Sequence, residues 1–230
     1  MPAEHPGEAR PRKGSITCMA VGFTTSPWES CSAEIREQIE AASSVQVIER
    51  GEHLYHDGEP AKGVYWLQTG ILLIYNIKHD GRHVAALPCY RGLLGTPAVL
   101  AGSYRAHLKA VRTSSVRFTP ASTIIPLMRE EAFGQLLGSY TGEDFSVMLS
   151  LWGAVTQQNS EEKLLDFLHS VFRLAAVPGD APPDSLAWPF SVTEMADWLS
   201  LSRPHLSKLM NGLISQGRIE LREGRLRLKQ

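Results

Sequence analysis

From Val45 to about Pro126 the chain is a series of short apolar segments cut by turn residues. The segments are Val45-Gln46-Val47-Ile48, Val64-Tyr65-Trp66-Leu67, Ile71 to Ile77, Val84 to Leu87, His107 to Val111 and Val116 to Phe118. Gly51, Asp57-Gly58, Gly63, Thr69-Gly70, Asp80-Gly81, Gly92, Gly95, Gly102-Ser103 and Pro120 separate them, mostly at intervals of seven to eleven residues. Many short β-rich segments at such spacing predict a β sandwich or roll, with Asp80-Gly81 as its clearest hairpin turn. Ahead of it, Ile35 and Ile39 repeat at i, i+4 among charged residues, which predicts a helix from Ser32 to Ala42 with Ser32 as its cap.

Beyond Pro126 the period becomes helical. Glu130 to Leu137 predicts a short helix, and after a break at Gly142 a longer one starts near Asp144. Phe145, Met148, Trp152, Val155 and Asn159 follow at spacings of 3, 4, 3 and 4, an a/d seam with one polar position, as a helix uses to pair with its own copy. Leu149 lies beside that seam. A helix packed on its own β domain is the other reading of the same pattern. Glu161 to Ala175 continues with Leu164, Leu165, Leu168, Val171 and Phe172 on one face, and Val177 to Pro189, with four prolines, predicts a loop.

The last forty residues carry the sharpest pattern. Ser191-Val192-Thr193-Glu194 is a capping box, and Val192, Met195, Ala196 and Leu199 follow at helical spacing. After a break at Ser200-Leu201, Ser202 caps a second helix with Leu206, Leu209, Met210, Leu213 and Ile214 on its apolar side. Two short helices with a tight turn predict a helix-turn-helix. Opposite the apolar stripe stand Pro204, Lys208, Asn211 and Ser215, flanked by Arg203, His205 and Ser207. Gly217 closes the helix, and Arg218 to Lys229 alternates around Glu223-Gly224, with Ile219, Leu221, Leu226 and Leu228 inward. A hairpin carrying Arg218, Arg222, Arg225 and Arg227 after a helix-turn-helix is a wing. The candidate DNA-contacting set is Thr193, Ser202, Arg203, Pro204, His205, Ser207, Lys208, Asn211, Arg218, Arg222 and Arg225, because groove insertion plus phosphate contact needs polar and basic groups so placed.

Composition and charge sharpen this picture. The 230 residues are 43% hydrophobic and 20% charged, as in a globular chain of one or two domains. The formal net charge of -1 argues against nucleic acid when taken whole. Residues 191 to 230, however, hold seven Lys/Arg against four Asp/Glu, so a basic tail is balanced by an acidic remainder. Three cysteines, Cys18, Cys31 and Cys89, are too few for a disulfide framework and suit a reducing cytoplasm. No apolar run reaches the ~18 to 20 residues of a membrane span. The first residues lack the pattern of a signal peptide. No phosphate loop, Gly-x-Ser-x-Gly elbow or His-Glu-x-x-His pair is present, so no enzyme is expected. The pairs His53/His56 and His79/His83 lie in or beside strands, where the offset of three in the first pair points side chains to opposite faces, and no metal is expected at either.

On these residues the chain resembles the cyclic-AMP receptor protein and FNR family of bacterial transcription regulators, over about residues 28 to 228. The stretch Gly58-Glu59-Pro60-Ala61-Lys62-Gly63-Val64-Tyr65-Trp66-Leu67-Gln68-Thr69-Gly70 is similar to that family's strand pair, and the order of parts is the same. The resemblance implies an α+β chain. Residues 1–27 would be a flexible tail, 28–142 a cyclic-nucleotide-binding-like effector β-roll, 143–160 a dimerisation helix and 161–230 a winged helix-turn-helix.

The resemblance also implies a homodimer, with Phe145, Met148, Leu149, Trp152, Val155 and Asn159 at its interface, on a pseudo-palindromic operator. Double-stranded DNA, RNA polymerase and a small effector are the partners it brings, with no membrane. Members that read DNA through Ser-Arg-Glu-x-x-x-Arg use both Arg and the Glu on bases. Here the stretch is Ser202-Arg203-Pro204-His205-Leu206-Ser207-Lys208, so Pro204 removes the acceptor for cytosine.

The effector candidates by the same resemblance are Gly95, Thr96, Arg105, Ala106 and Trp152. The ribose-binding carboxylate and the hydroxyl after the Arg are missing. This disfavours cyclic AMP and leaves the effector unnamed, with no resident cofactor expected. A four-thiolate iron–sulfur cluster is likewise disfavoured by three scattered cysteines. The rival function is a ligand-binding or protein-interaction module of the same fold that no longer reads DNA.

Overall fold

The computed structural model describes residues 27–77, 79–81, 83–156, 159–175 and 183–229, with backbone alone at 84–85, 143–144, 147–148, 150–152 and 154–155. Most of the expected tail, residues 1–26, lies outside the described residues, and Pro27 and Trp28 are already buried. Helix α1 (Ala33–Ala42) starts where the pattern predicts, with the Ile35 N–H donating to Ser32 Oγ at 3.4 Å and Ile39 fully buried.

The β-roll is one antiparallel sheet of six strands: β1 (Ser44–Ile48), β2 (His53–Tyr55), β3 (Gly63–Ile77), β4 (His83–Cys89), β5 (Gly92–Leu94) and β6 (His107–Pro120). Its order is β1-β6-β3-β4, with β2 also paired to β6 and β5 to β3. Helices α2 (Thr96–Ala101) and α3 (Ala121–Leu127) close its ends.

One expected turn is absent, and two pairs of expected segments are continuous. Val64–Leu67 and Ile71–Ile77 belong to one strand, β3, and His107–Val111 and Val116–Phe118 to one strand, β6. Thr69-Gly70 is a bulge inside β3, not a turn: the register with β6 slips between Leu67 and Thr69, again to Ile71, and again to Leu72. Gly70 sits at φ +105, where a side chain is strained, and a Cβ there would overlap Ser114. Ser114 Oγ locks the bulge, donating to the Arg112 carbonyl at 2.6 Å and accepting from the Ile71 N–H at 3.2 Å.

The bulge reverses which residues face inward. Before it Tyr65 and Leu67 point into the roll, while Val64 and Trp66 pack outward against Trp28, Ile39, Ile124 and Phe133. After it Leu72 and Ile74 point inward, and Ile71, Leu73 and Tyr75 outward. A one-residue slip flips every following side chain, so Gly70 sets which face the second half of β3 offers. Both faces are covered, which is why Ile71 to Tyr75 is continuously apolar rather than alternating.

Past the roll, helix α4 runs unbroken over Glu131–Thr156, correcting the expected break at Gly142. Its first half buries Phe133, Leu136, Leu137 and Tyr140 in the roll's outer core, and that packing outweighs the roughly 1 kcal/mol per residue that glycine costs a helix. Helix α5 (Ser160–Ala175) then turns onto the winged domain: α6 (Val192–Leu199), α7 (Arg203–Ser215), β8 (Ile219–Arg222) and β9 (Arg225–Leu228). The loop expected over Val177 to Pro189 contains a short strand, β7 (Leu186–Ala187), which makes the wing three-stranded, β7-β9-β8; residues 176–182 lie outside the described ones.

One core joins the two parts. Ile71, Leu73, Tyr75 and Ala86 of the roll pack with Leu164, Leu168 and Val171 of α5, Met195, Trp198 and Leu199 of α6, and Leu206, Met210 and Leu213 of α7. Fully burying side chains of this size stabilises by ~1.5–3 kcal/mol each. The Tyr90 hydroxyl adds a tie, donating to the Ala187 carbonyl at 2.7 Å; burial pushes its pKa up, which keeps it a neutral donor. His53 and His56, expected on opposite faces, instead lie with ring centroids 4.4 Å apart and planes tilted by 30°, because the register of β2 shifts between His53 and Tyr55 and the strand ends before His56. No helix among the described residues is long and apolar enough to cross a membrane.

Candidate functional site

The candidate DNA-contacting surface is assembled by two caps. In α6, the Glu194 N–H donates to Ser191 Oγ at 3.2 Å and the Ser191 N–H donates to Glu194 Oε2 at 2.8 Å. Ser200 then ends α6 in the left-handed region at φ 54, and the chain reverses within two residues. Ser202 Oγ accepts from the His205 N–H at 3.4 Å and opens α7, with Pro204 in the first turn where its missing N–H costs nothing. Leu206, Met210 and Leu213 anchor α7, which leaves Arg203, Pro204, His205, Lys208 and Asn211 exposed along one side and Ser207 half-buried. Ser202 itself is exposed but acts as the cap; Thr193, on α6, is also exposed. The apolar stripe is narrower than its spacing predicts: Leu209 is half-buried and Ile214 is 41% exposed.

The candidate arginines of the wing divide by partner. Arg218 Nη1 lies 2.6 Å from Glu161 Oε1, tying the start of β8 to α5. Arg225 donates to Ser185 Oγ from Nη2 at 2.8 Å and to the Ser185 carbonyl at 3.0 Å, holding β9 to the segment before β7. Arg222 pairs with Glu220 at 3.0 Å but is otherwise exposed at the hairpin end. Lys229 also reaches Glu220, at 3.0 Å, and its hydrogen bond holds that carboxyl below its usual range. Arg227, opposite Glu220 on β9 and exposed, is a cation missing from the candidate set; the strand's alternation puts it on the same side as Arg225. The turn Glu223-Gly224 has φ 51 and φ 68, the mirror-image turn that joins twisted strands tightly. Leu221, expected inward, is 40% exposed, since β8 is an edge strand of this small sheet with only Ile219 reaching the core.

The effector candidates lie at the rim of the roll. Gly95, at φ +88, turns the chain from β5 into α2, and a Cβ there would come within 3.3 Å of the Tyr104 ring. Thr96 is buried, and its Oγ1 has no hydrogen-bond partner among the described residues. Arg105 is exposed and Ala106 half-buried just before β6; the side chain of Trp152 is not among those described.

Inside the roll, aromatic rings take up the space. Tyr55 and Tyr104 stack with centroids 3.7 Å apart and planes 4° apart, and Tyr65 meets Phe118 at 5.0 Å. The Tyr104 hydroxyl donates to the Gly63 carbonyl at 2.9 Å. Burial, and then the neighbouring Tyr104, push the Tyr65 phenol up, so it stays neutral. Neither tyrosine of the stack is a sequence candidate; the available signal is that Tyr65 and Phe118 share the inward face of paired strands.

Of the expected dimer residues, Phe145 and Leu149 stand 63% and 57% exposed on α4, one helical turn apart. At Met148, Trp152 and Val155 only the backbone is described. Asn159 lies beyond the end of α4, and its Oδ1 accepts from the Glu161 N–H at 2.9 Å. It therefore caps α5 instead of extending the seam, because the chain bends between the two helices. Cys31 is buried, which pushes its thiol up and away from reactivity, Cys89 is half-buried, and Cys18 lies outside the described residues.

Residues 45–131 match the family of the cyclic nucleotide-binding domain. The chain is 22% identical over 186 residues to the fumarate and nitrate reduction regulatory protein of Escherichia coli strain K12, across 76% of this chain and 70% of that one. Among solved structures it is similar to FixK2 from Bradyrhizobium japonicum, with a TM-score of 0.69 and 20% identity over 82% of this chain and 93% of that one. It is also similar to CLP, the c-di-GMP-responsive global regulator of Xanthomonas campestris, with a TM-score of 0.64 and 14% identity over 86% and 100% of the two chains. With the β-roll, the long helix and the winged helix-turn-helix in order, the chain holds a domain of the cyclic nucleotide-binding family and is similar in sequence and fold to regulators of the cyclic-AMP receptor protein and FNR type.

Proposed function

We propose that the chain is a sequence-specific DNA-binding transcription regulator that acts as a homodimer on a pseudo-palindromic operator. The observation that carries this is the exposed row Arg203, His205, Lys208 and Asn211 on a helix held by a buried apolar anchor, with a basic wing beside it. The N-terminal end of such a helix enters the major groove, where Arg203 and Lys208 can donate to guanine O6/N7 while Arg222 and Arg227 meet phosphates. Pro204 offers no acceptor to cytosine, so the operator departs from the Ser-Arg-Glu-x-x-x-Arg pattern at that base pair. Exposed Phe145 and Leu149 on α4 support pairing with a second copy. Two-fold symmetry then spaces the half-sites by one helical turn, ~34–36 Å. RNA polymerase is the further partner of a regulator of this kind.

The β-roll senses a signal other than cyclic AMP in this proposal. Two features support that: the Tyr55–Tyr104 stack inside the roll, and the replacement of the polar nucleotide contacts by Pro97 and Ala106 at its rim. A signal acts by binding the DNA-competent arrangement better than the other.

Selection of binding sites from random double-stranded DNA tests the proposal, and Arg203→Ala probes its centre. The variant is expected to lose ~1–3 kcal/mol on the selected site and to relax one guanine preference. Equal loss on selected and random DNA would make Arg203 a phosphate contact. No salt-dependent binding to any DNA would favour the rival of an interaction module.

A further inference from the structure

The outward face of the roll carries a belt of titratable side chains that DNA reading does not use. Strand register builds it: His53 on β2 stands opposite Lys109 on β6, and Tyr75 on β3 opposite His107 on β6, with His83 opening β4 alongside. The groups are in contact. His53 Nε2 lies 2.7 Å from Tyr75 Oη, and His56 Nδ1 lies 3.3 Å from His107 Nδ1. The His83 and His107 rings lie 4.1 and 5.2 Å from the Tyr75 ring, and Lys109 Nζ stands 4.9 Å from the centre of that ring. Two imidazole nitrogens can share a hydrogen bond only if one donates and the other accepts, so the His56–His107 contact needs an unprotonated nitrogen.

This belt borders the seam between the two parts of the molecule. Tyr75 belongs to the core shared with α5, α6 and α7, and α6 lies against β4. From α6, Glu194 acts on His83 and Lys109, and Asp197 acts on His83. Helix α5 also packs on β4 through its apolar face, and its Asp166 and His169 are exposed. Within the roll the charged neighbour is Lys109.

We infer that the belt of His53, His56, Tyr75, His83, His107 and Lys109 is a proton-operated hold on the DNA-reading domain. With the rings neutral, the roll presents a packed, hydrogen-bonded face to α6. A proton added to His53 or His83 places a like charge beside Lys109. The facing carboxylates that offset this are Glu194, beside His83 and Lys109, and Asp197, beside His83, and Glu194 is already engaged in the cap of α6.

At His53 the neighbouring charges agree in sign. Burial first, then His56, Lys109, His107 and His83, push His53 below its ordinary value; burial and Lys109 push His83 down, against Glu194 and Asp197. A histidine with a depressed folded-state pKa binds protons more readily once released. The hold is therefore full above about pH 6.5 and is lost progressively as pH falls below it. The consequence for operator binding rests on the proposed DNA-reading function; the titration itself does not.

Hydrogen–deuterium exchange on the full chain separates the two. With rates corrected for their intrinsic pH dependence, α6 (Val192–Leu199) should lose protection severalfold relative to β3 between pH 7.5 and 5.5, because histidines released from the belt bind the added protons more readily. The triple variant His53→Gln/His56→Gln/His107→Gln should flatten that dependence, and the single variant His53→Gln, retained in case the triple one fails to fold, should reduce it. Unchanged α6 protection in the natural protein, or a variant that folds and keeps the full pH slope, overturns the hold. Absence of DNA binding at every pH would remove the proposed function and leave the exchange result standing.

Discussion

The roll has an inner and an outer face, and β3 contributes to both. Inside, Tyr55, Tyr65, Tyr104 and Leu72 form a core whose hydroxyl groups are hydrogen-bonded locally, as the Tyr104 contact to Gly63 shows. Outside, Ile71, Leu73 and Tyr75 support the winged domain, and the histidines and Lys109 stand at the edge of that contact. In this chain His53 and His83, which burial pushes below their ordinary values, stand at the edge of the face that touches the winged domain, while the interior of the roll holds phenols such as Tyr65 that burial keeps neutral. A chemical change on the outer face is thus one contact away from α6, whereas one inside must pass through the sheet.

The bulge that separates the faces offers the sharpest test. Gly70→Val forces a β-branched residue to φ +105 and drives it into Ser114, so a loss of roughly 3 kcal/mol or more is expected, read by denaturant unfolding. Retention of full stability would mean that β3 can slip and that its parity is not set there. Next in size, Tyr104→Phe keeps the stack on Tyr55 but leaves the Gly63 carbonyl without its donor, which costs roughly 1–2 kcal/mol of stability. Because Tyr104 faces inward, this variant should leave the pH dependence of α6 exchange unchanged. Smallest of all, Arg218→Ala removes a half-exposed ion pair with Glu161 and should cost about 0.2–1 kcal/mol, less at high salt. DNA binding by that variant, measured against Arg222→Ala, distinguishes a fastening of the wing from a phosphate contact.

The winged domain was legible in its helices, caps and hairpin, though not in β7 or in the exposure of Ile214 and Leu221. Capping box, second cap, apolar spacing and mirror-image turn all stand where the pattern places them, because each depends on neighbours within four positions. The roll was legible in kind only. Gly70 and the glycines of α4 carry the same punctuation as true turns, and packing of β3 on β6 and of Phe133 and Leu137 on the roll overrode it. Asn159 matched a heptad position and serves as a cap, since a 3-4 spacing does not reveal where a helix stops. The histidines were separated by a rule for straight strands that a register shift at β2 breaks. Phe145 and Leu149 are exposed on the second half of α4.

Local spacing was sufficient for the helix-turn-helix, the wing and the presence of a β-roll, since periodicity and capping act over a single turn or strand. The parity of β3, the closed interior and the docking of the winged domain came from contacts between distant parts of the chain. Ser114 reaches Ile71 across 43 positions, His107 reaches His56 across 51, and Ala187 accepts from Tyr90 across 97. No local period encodes such pairings: they follow from which apolar faces the folded chain must cover together, and the histidine belt exists only because four strands bring it to one face.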